Sequence, residues 1–395
     1  MSSDMETLLV LGGAVEGYDL SPTPELIGSA ACSRGRTPPR LYHSPLPRLL
    51  QLPLGNLIIR CGLVAEADVP AVVFGPDRVI GRGRPRTALV LGAGGVLGAA
   101  WMTGALVRLH ERLPAADVDL LVGTSAGSVL AAALRCRTSL DEIVAWQAGD
   151  VTGTLSESMV LAEQDGPLPP WPQPRPGSLP LARAALFLQV PPWVGASGWL
   201  PHGRGRHVAV RSLIGALQKR LPEDAGSWAD GRTWIAAMDY DTGQRVLFGR
   251  PGAPPASLAD AVVASCSIPG WYEPARIGGR RYVDGGVRSA TSLGVLAGTD
   301  VQEVYVLAPM ASTEPDHPLQ PHLRLERRVR QLFTSVLLRQ ARALGAQGKR
   351  VTVVTPGPRD LAVMGANLMD PRRRQAVLEA SLLSSAGLDL QAQVA

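Results

Sequence analysis

Residues 118–136 read VDLLVGTSAGSVLAAALRC, and this stretch decides the fold. A short apolar run is followed at once by a glycine-rich turn, and then by alanines and leucines, which are strong helix formers. The pattern predicts a buried strand, a tight turn and a helix. Residues 87–113, TALVLGAGGVLGAAWMTGALVRLHERL, repeat the same order. Two such units in succession indicate a parallel sheet covered by helices, which is an α/β fold.

The turn of the first stretch, GTSAG at 123–127, has Ser125 at its centre. In a strand-to-helix nucleophile elbow the serine has a strained backbone, and side chains two positions before and after it would collide. Gly123 and Gly127 remove those side chains. The turn places the hydroxyl at a helix N-terminus, which favours negative charge and suits a nucleophile of acyl transfer. The alternative is a small-residue turn without a catalytic role, because G-x-S-x-G alone often occurs by chance.

A second glycine cluster lies between the strand and the helix of residues 87–113: Gly92, Gly94, Gly95 and Gly98. A dinucleotide-binding fingerprint, and with it a nicotinamide-dependent oxidoreductase, requires glycines at the first, third and sixth places, but counting from Gly92 the sixth is Leu97. The other interpretation is an oxyanion hole, in which backbone N–H groups of Gly94, Gly95 and Val96 face a developing negative charge. The glycine spacing favours the oxyanion hole.

A nucleophilic hydroxyl needs a base, and Asp284 is well placed to be one. It follows the predicted strand RRYV and precedes Gly285 and Gly286, so its carboxylate can stand at a strand end beside open backbone. The alternative is a β-turn aspartate that bonds its own backbone, which is the common role of an Asp-Gly pair. A Ser-His-Asp hydrolase that uses His317 or His322 also stays open, because the order along the chain permits it.

Three motifs in order, GAGGVLG at 92–98, GTSAG at 123–127 and ASCSIPGWYEPARIGGRRYVDGG at 264–286, resemble those of the patatin-like phospholipases. These are lipid acyl hydrolases with a Ser-Asp dyad, and the resemblance covers about residues 87–310. It implies a three-layer α/β/α fold with a mostly parallel central sheet, and activity without a metal or an organic cofactor. It also implies that Ser125 is the nucleophile, Asp284 its base and the Gly94-Gly95 turn the oxyanion hole. Without a histidine between them, Asp284 must contact the hydroxyl directly, and partial burial would make it a stronger base.

One position departs from the family pattern. The family usually has arginine or lysine where this chain has Leu97, and a cation there would reinforce the oxyanion hole. Removing one such donor typically costs about 100- to 1000-fold in rate. A slow enzyme, or an inactive relative that only binds lipid, therefore remains an alternative.

Composition shifts along the chain predict its organisation. Residues 1–84 mix apolar stretches with Pro- and Arg-rich ones and are predicted to be an extension or a small subdomain. Residues 85–310 are the predicted catalytic domain, and residues 311–395 complete it with helices and a strand. Residues 165–206 form an insertion rich in proline and tryptophan, which indicates either a lid or interfacial contact over the site or a surface loop.

The predicted substrate is a phospholipid or another acyl-ester lipid, so contact with a membrane surface is expected. Besides the insertion at 165–206, the helix predicted from about 323 to 345 is a second segment that could contact a membrane. Its arginines stand opposite its apolar residues, so it either lies on anionic lipid or turns a solvated face outward over an apolar core stripe. The residues concerned are Arg324, Arg327, Arg328, Arg330, Arg339 and Arg342, opposite Leu325, Val329, Leu332, Val336 and Leu337.

Composition excludes several other classes. The net charge of +5 comes from arginine, but no zinc-finger spacing or basic stretch interleaved with aromatics accompanies it, so nucleic-acid binding is not predicted. The four cysteines are scattered, which argues against a disulfide framework or a zinc site. No apolar run is long enough to span a membrane, and Asp4 and Glu6 stand where a signal peptide would be basic. An intracellular protein is expected.

Overall fold

The computed structural model describes residues 69–76, 84–114, 117–150, 171, 173–187, 189–221, 228, 232–314 and 316–386. Most of the predicted extension 1–84, and the first residues of the insertion, lie outside these ranges. Ala71–Phe74, strand β1, belongs to that extension, pairs antiparallel with the strand at 350–354 and so forms an edge of the main sheet.

Within the described residues, nine strands form one sheet in the order β1-β11-β10-β2-β3-β6-β9-β8, with β7 also paired to β6. Five neighbouring strands, from β11 to β6, run parallel. A separate small sheet pairs β4 with β5. The bounds are β1 Ala71–Phe74, β2 Thr87–Leu91, β3 Leu120–Thr124, β4 Gln173–Pro176, β5 Pro201–His202, β6 Arg232–Asp239, β7 Arg245–Phe248, β8 Ala275–Ile277, β9 Arg280–Asp284, β10 Glu303–Leu307 and β11 Arg350–Val354.

Helices cover both faces of the sheet, which confirms the predicted α/β/α layers with a mostly parallel centre. Alternate residues of each central strand face opposite sides: in β2, Leu89 and Leu91 join one apolar core and Ala88 and Val90 the other. The helices are α1 Gly95–His110, α2 Ala126–Arg135, α3 Leu140–Ala148, α4 Leu179–Leu186, α5 Pro192–Ser197, α6 Val208–Gln218, α7 Leu258–Cys266, α8 Pro321–Gly345, α9 Pro358–Met364 and α10 Arg374–Ser385.

The two cores divide the helices between the faces. Helices α1, α2, α3, α6 and α7 contribute buried residues to the first core, and α8 contributes to the second, together with the 3₁₀ turn at Leu293–Leu296. Among the described residues, no helix is both long and apolar enough to cross a bilayer.

The insertion is more ordered than its composition predicts. Its described part, residues 171, 173–187 and 189–206, which we call the cap, contains β4, α4, α5 and β5. Pro180 and Pro192 fall in the first turns of α4 and α5, where a missing N–H costs nothing. Leu181, Val190 and Val194 of the cap are buried against Met238 and Tyr240 of the main sheet region. The cap is therefore a packed helical hairpin and not a plain surface loop.

Helix α8 has the predicted bounds but not the predicted faces. Arg327 and Arg330 are only 7% and 3% exposed, whereas Leu325 and Leu332 are 48% and 68% exposed. The prediction that the arginines face solvent and the apolar residues face the core is therefore wrong for Arg327, Arg330, Leu325 and Leu332, whereas Arg324 and Arg328 are exposed. Only the later part of α8, with Leu337 and its neighbours, packs into the second core.

Backbone carbonyls explain this reversal. Arg330 donates to the carbonyl oxygens of Pro309 and Ala311, and Arg327 donates to that of Leu361 at 3.1 Å. Glu326 forms ion pairs with both arginines. The first half of α8 lies over loop carbonyls that need donors, and buried carbonyls without a donor are costly.

We therefore expect Arg330→Ala to lower the free energy of unfolding by about 3–5 kcal/mol, because it leaves two carbonyls without their buried donor and Glu326 with Arg327 as its remaining partner. Arg328→Ala is the matched control, since Arg328 is exposed, and its effect should stay within about 0.5 kcal/mol. Urea unfolding followed by circular dichroism measures both. Equal effects would contradict the reversed orientation of α8.

Candidate active site

Ser125 occupies a strained turn between β3 and α2. Its backbone has φ 53° and ψ −122°, a conformation that few non-glycine residues adopt. A β-carbon on Gly123 would lie 2.6 Å from the Cα of Ser128, and one on Gly127 would lie 2.1 Å from the carbonyl oxygen of Leu91. Both positions therefore require glycine, as the elbow interpretation of GTSAG predicts.

Neighbouring hydroxyls hold this turn in place. The N–H of Ser125 donates to Ser265 Oγ at 2.8 Å, and that hydroxyl donates in turn to the carbonyl oxygen of Ala236 at 2.6 Å. Ser128 Oγ donates to the carbonyl oxygen of Ser125 at 2.6 Å. Sequence reasoning missed Ser265, because its contact spans 140 residues and no local pattern marks it.

Asp284 ends strand β9, where it pairs with Ala237 of β6. Its carboxylate lies near enough to the side chain of Ser125 to interact with it, and it accepts the N–H of Gly286 at 2.6 Å. A β-carbon on Gly285 would lie 2.3 Å from the carbonyl oxygen of Ala236, so the chain can approach β6 only with glycine there. The structure thus places the predicted alcohol and carboxylate next to each other.

Burial changes the acidity of this carboxyl group. Asp284 is 5% exposed, and desolvation raises its pKa to about 6, although the bonds from Ser125 and Gly286 oppose the shift. A carboxylate with this pKa is a better proton acceptor than an ordinary aspartate and is still ionised at neutral pH.

The glycine turn stands next to the elbow. The N–H of Gly127 donates to the carbonyl oxygen of Gly92 at 3.1 Å, which links the two turns. Gly95, with φ +59°, begins helix α1. Within the described residues, the N–H groups of Gly94, Gly95 and Val96 have no hydrogen-bond acceptor. They are unpaired amides at a helix N-terminus, as an oxyanion hole requires.

Leu97 and Gly98, which follow these amides, pack against the rest of the protein. The side chain of Leu97 is fully buried in the first core, and its N–H donates to the carbonyl oxygen of Leu368 at 3.0 Å. Gly98 lies against Pro309, which would be 3.1 Å from an added β-carbon. Position 97 therefore supplies no side-chain cation to the turn.

A cavity of about 170 Å³ opens beside Ser125. Its wall is mostly apolar and comes from α1, α2, α6 and the segments near 268 and 369: Ala99, Val129, Val210, Leu213, Ile268 and Met369. Trp146, Gln147 and Arg374 also line it. The side-chain N–H groups of Trp146 and Gln147 are buried without an acceptor in the described part of the chain, so a bound acceptor would relieve them.

One histidine lines this cavity, and it is not one that the sequence suggested. His207 stacks on Tyr272 with the ring centres 3.8 Å apart and bonds the backbone of Cys266. Desolvation lowers its pKa to about 4, so it is neutral at physiological pH. His317 and His322 are exposed and do not line the cavity. His207 follows a GRGR loop, and no sequence signal distinguishes it.

The family comparison matches the same region of the chain. The sequence profile of the patatin-like phospholipases covers residues 89–297, more than half of the chain and all three glycine motifs. This chain belongs to the patatin-like phospholipase family. The predicted resemblance is confirmed.

The curated relatives that match this chain share little sequence identity with it. An uncharacterized NTE family protein of Mycobacterium bovis is 27% identical over 226 residues, which cover 56% of this chain and 49% of that protein. NTE family proteins of two Mycobacterium tuberculosis strains match equally. The chain spans about half the length of these curated relatives.

Two solved structures align with most of this patatin-like chain. VipD from Legionella pneumophila aligns at 13% identity with a TM-score of 0.34, over 82% of this chain and 72% of that one. ExoU of Pseudomonas aeruginosa, in its complex with SpcU, aligns at 15% identity with a TM-score of 0.26, over 84% and 62%. Family membership therefore rests on the sequence match.

Because Ser265 fixes the elbow, we expect Ser265→Ala to lower kcat for ester hydrolysis about tenfold or more with little change in KM, since small misplacements of a reacting group are costly. Ser267→Ala is the matched control: among the described residues, its hydroxyl bonds only the carbonyl oxygen of Val263, one turn back in α7. Steady-state kinetics on a soluble short-chain ester test the difference. A loss of similar size in both variants would show that Ser265 does not position the turn.

Proposed function

We propose that this protein is a serine lipid acyl hydrolase that cleaves acyl esters of membrane lipids. The observation that carries the proposal is that the Ser125 side chain, held in a strained turn, lies beside the buried carboxylate of Asp284, close to unpaired amides and an apolar cavity. Family membership supports lipid hydrolysis in general. Assigning the reaction to these two residues is our inference from their geometry.

In the proposed reaction, Asp284 accepts the proton of the Ser125 hydroxyl while the serine oxygen attacks the ester carbonyl carbon. The carbonyl oxygen becomes negative and lies against the amides of Gly94, Gly95 and Val96. The intermediate collapses, and the alcohol leaves with the proton from Asp284. Water then gives a proton to Asp284 and attacks the acyl-enzyme. The second tetrahedral intermediate collapses, the Ser125 oxygen leaves with the proton from Asp284, and a fatty acid is released.

The cavity supports an acyl chain as the substrate group. Its wall is largely aliphatic, and burial of methylene groups against it contributes about 0.8 kcal/mol each. The unpaired donors of Trp146 and Gln147 suit a polar acceptor on the same molecule. Both features fit a phospholipid or a related ester lipid. The steps above use only groups of this chain and call for no metal or organic cofactor.

A second candidate function rests on Leu97. Without a cation at this position the protein would be a weak or inactive relative that binds lipid but does not cleave it. A fluorophosphonate probe separates the two, because it reacts with an activated serine and not with an inert one. Labelling of the wild-type protein that is lost in Ser125→Ala supports the hydrolase. A wild-type protein that resists labelling supports the binding protein.

We expect Ser125→Ala to lower hydrolysis of a soluble short-chain ester at least about 1000-fold while the protein stays folded. The double variant His317→Ala/His322→Ala should retain activity, because both side chains are exposed and absent from the cavity wall. Initial rates and circular dichroism of the three proteins provide the test. Unchanged turnover in Ser125→Ala would reject the assignment, and loss of activity in the double variant would favour a Ser-His-Asp mechanism.

The buried carboxylate also sets a pH dependence. Asp284 accepts a proton only when ionised, and its pKa is raised to about 6, so kcat/KM should fall as pH drops through about 6 and stay level above about 7. The His317→Ala/His322→Ala variant should keep the same acidic limb. Rates on the soluble ester from pH 4.5 to 8 measure it, with folding monitored at each pH. A midpoint near 4, the ordinary aspartate range, would contradict this role.

A further inference from the structure

The cap and the start of α6 expose an unusual number of large apolar side chains. Seven of them are between 58% and 89% exposed, and we call this set the cap patch: Trp171, Leu179, Leu186, Phe187, Trp193, Trp199 and Val208. Apolar patches of this kind on soluble proteins mark sites of interaction with other proteins or with membranes. The patch is rich in tryptophan, which is favoured where water meets lipid.

Packing of the helical hairpin fixes the positions of five of these side chains at its two ends. A β-carbon on Gly195 would lie 2.1 Å from the Cβ of Ala185, so α4 and α5 are in close contact beside Leu186, Phe187 and Trp193. At the other end of the hairpin, the N–H of Ser178 donates to the carbonyl oxygen of Gly198 at 2.9 Å. That bond lies beside Leu179 and Trp199. The patch is held by packed backbone and needs no rearrangement to be exposed.

The cap patch continues to the rim of the cavity. Gly205 exchanges two backbone hydrogen bonds of 2.9 Å with Trp271 and Glu273, which fixes the end of the cap next to Tyr272. His207 and Tyr272 line the cavity that contains Ser125. Val208, which is exposed, directly follows His207. A surface that covers the cap patch therefore meets the cavity.

The charge of the cap distinguishes between two partners, a second copy of the chain and a lipid surface. Residues 171–221 contain no aspartate or glutamate but seven basic residues: Arg175, Arg183, Arg204, Arg206, Arg211, Lys219 and Arg220. Arg175, Arg183 and Arg204 are exposed next to the apolar patch. In a twofold dimer the patch would face its own copy, and these like charges would repel. An anionic lipid surface complements both the charge and the apolar side chains.

We propose that the cap patch docks the protein onto the surface of a bilayer that contains anionic phospholipid, with the cavity opening toward that surface. The tryptophans and Phe187 enter the headgroup region, and the cap arginines contact lipid phosphates. The choice of lipid as partner rests on the proposed function, but docking itself does not require hydrolysis.

Helix α8 is the alternative surface for membrane docking, and a residue on it provides the control variant. Leu325, Val329 and Leu332 are also exposed, among exposed arginines. However, α8 packs on the second core, whereas the cavity is lined by helices of the first core on the other face of the sheet. A membrane bound to α8 would not meet the cavity.

The test measures cosedimentation of the full chain carrying Ser125→Ala, so that turnover does not alter the lipid. The vesicles are phosphatidylcholine alone or phosphatidylcholine with phosphatidylglycerol at a ratio of 7:3. We expect Phe187→Ser/Trp193→Ser to weaken binding to the mixed vesicles at least about tenfold, and Leu332→Ser, which is similarly exposed, to leave it unchanged. Arg183→Gln/Arg204→Gln should reduce the preference for anionic vesicles without lowering the binding to phosphatidylcholine alone.

Several results would overturn the proposal. The first is that the parent protein does not bind mixed vesicles. The second is that Phe187→Ser/Trp193→Ser, the cap variant, binds them as well as the parent does. The third is that Leu332→Ser loses as much binding as the cap variant. A change of the cap variant from dimer to monomer in sedimentation velocity, with vesicle binding unaltered, would assign the patch to a second copy instead. Activity on the soluble ester is measured separately in proteins with Ser125 intact. Its absence would count against the proposed hydrolase and not against docking.

Discussion

The contact between two glycine turns determines the geometry of the candidate site. Gly127 lies against the end of β2 so closely that a β-carbon would be 2.1 Å from the Leu91 carbonyl oxygen, and its N–H donates to Gly92. This contact fixes the position of the Ser125 turn relative to the amides of Gly94 and its neighbours. A larger residue at 127 would therefore move the Ser125 hydroxyl away from these amides. The position of Asp284 then depends on β9 reaching the same edge of the sheet beside β6.

Burial of the Asp284 carboxylate lowers the stability of the folded protein. A carboxyl pKa near 6, instead of its ordinary value near 4, means that the ionised group destabilises the folded state by about 3 kcal/mol at neutral pH. Stability contributed by the two apolar cores on either side of the sheet must offset this. The site is therefore held together by packing around it and not by its own charges, which is a common property of catalytic carboxylates.

Sequence reasoning succeeded where the physical requirement is local. The elbow and the glycine turn follow from steric limits within five to seven residues, and the strand-turn-helix order follows from apolar periodicity. Ser265 and His207 were missed because they act through contacts with residues far away in the chain. The faces of α8 were wrong because periodicity shows that a helix has two faces, but not that loop carbonyls near Pro309 lie under one of them. The proline-rich cap was underestimated for a related reason, since proline is also a helix-start residue.

Leu97 has a physical explanation within this framework. The position belongs to the first turn of α1, and its side chain is directed into the apolar core, where an unpaired cation would be strongly destabilising. The N–H of Leu97 donates to Leu368, and this bond holds the helix start in place while leaving the preceding amides unpaired. In the proposed reaction, the charge on the oxyanion would be balanced by those amides and by the positive end of the α1 dipole. Backbone groups need no desolvation of a full charge, so an apolar residue at position 97 is compatible with stabilisation of an oxyanion.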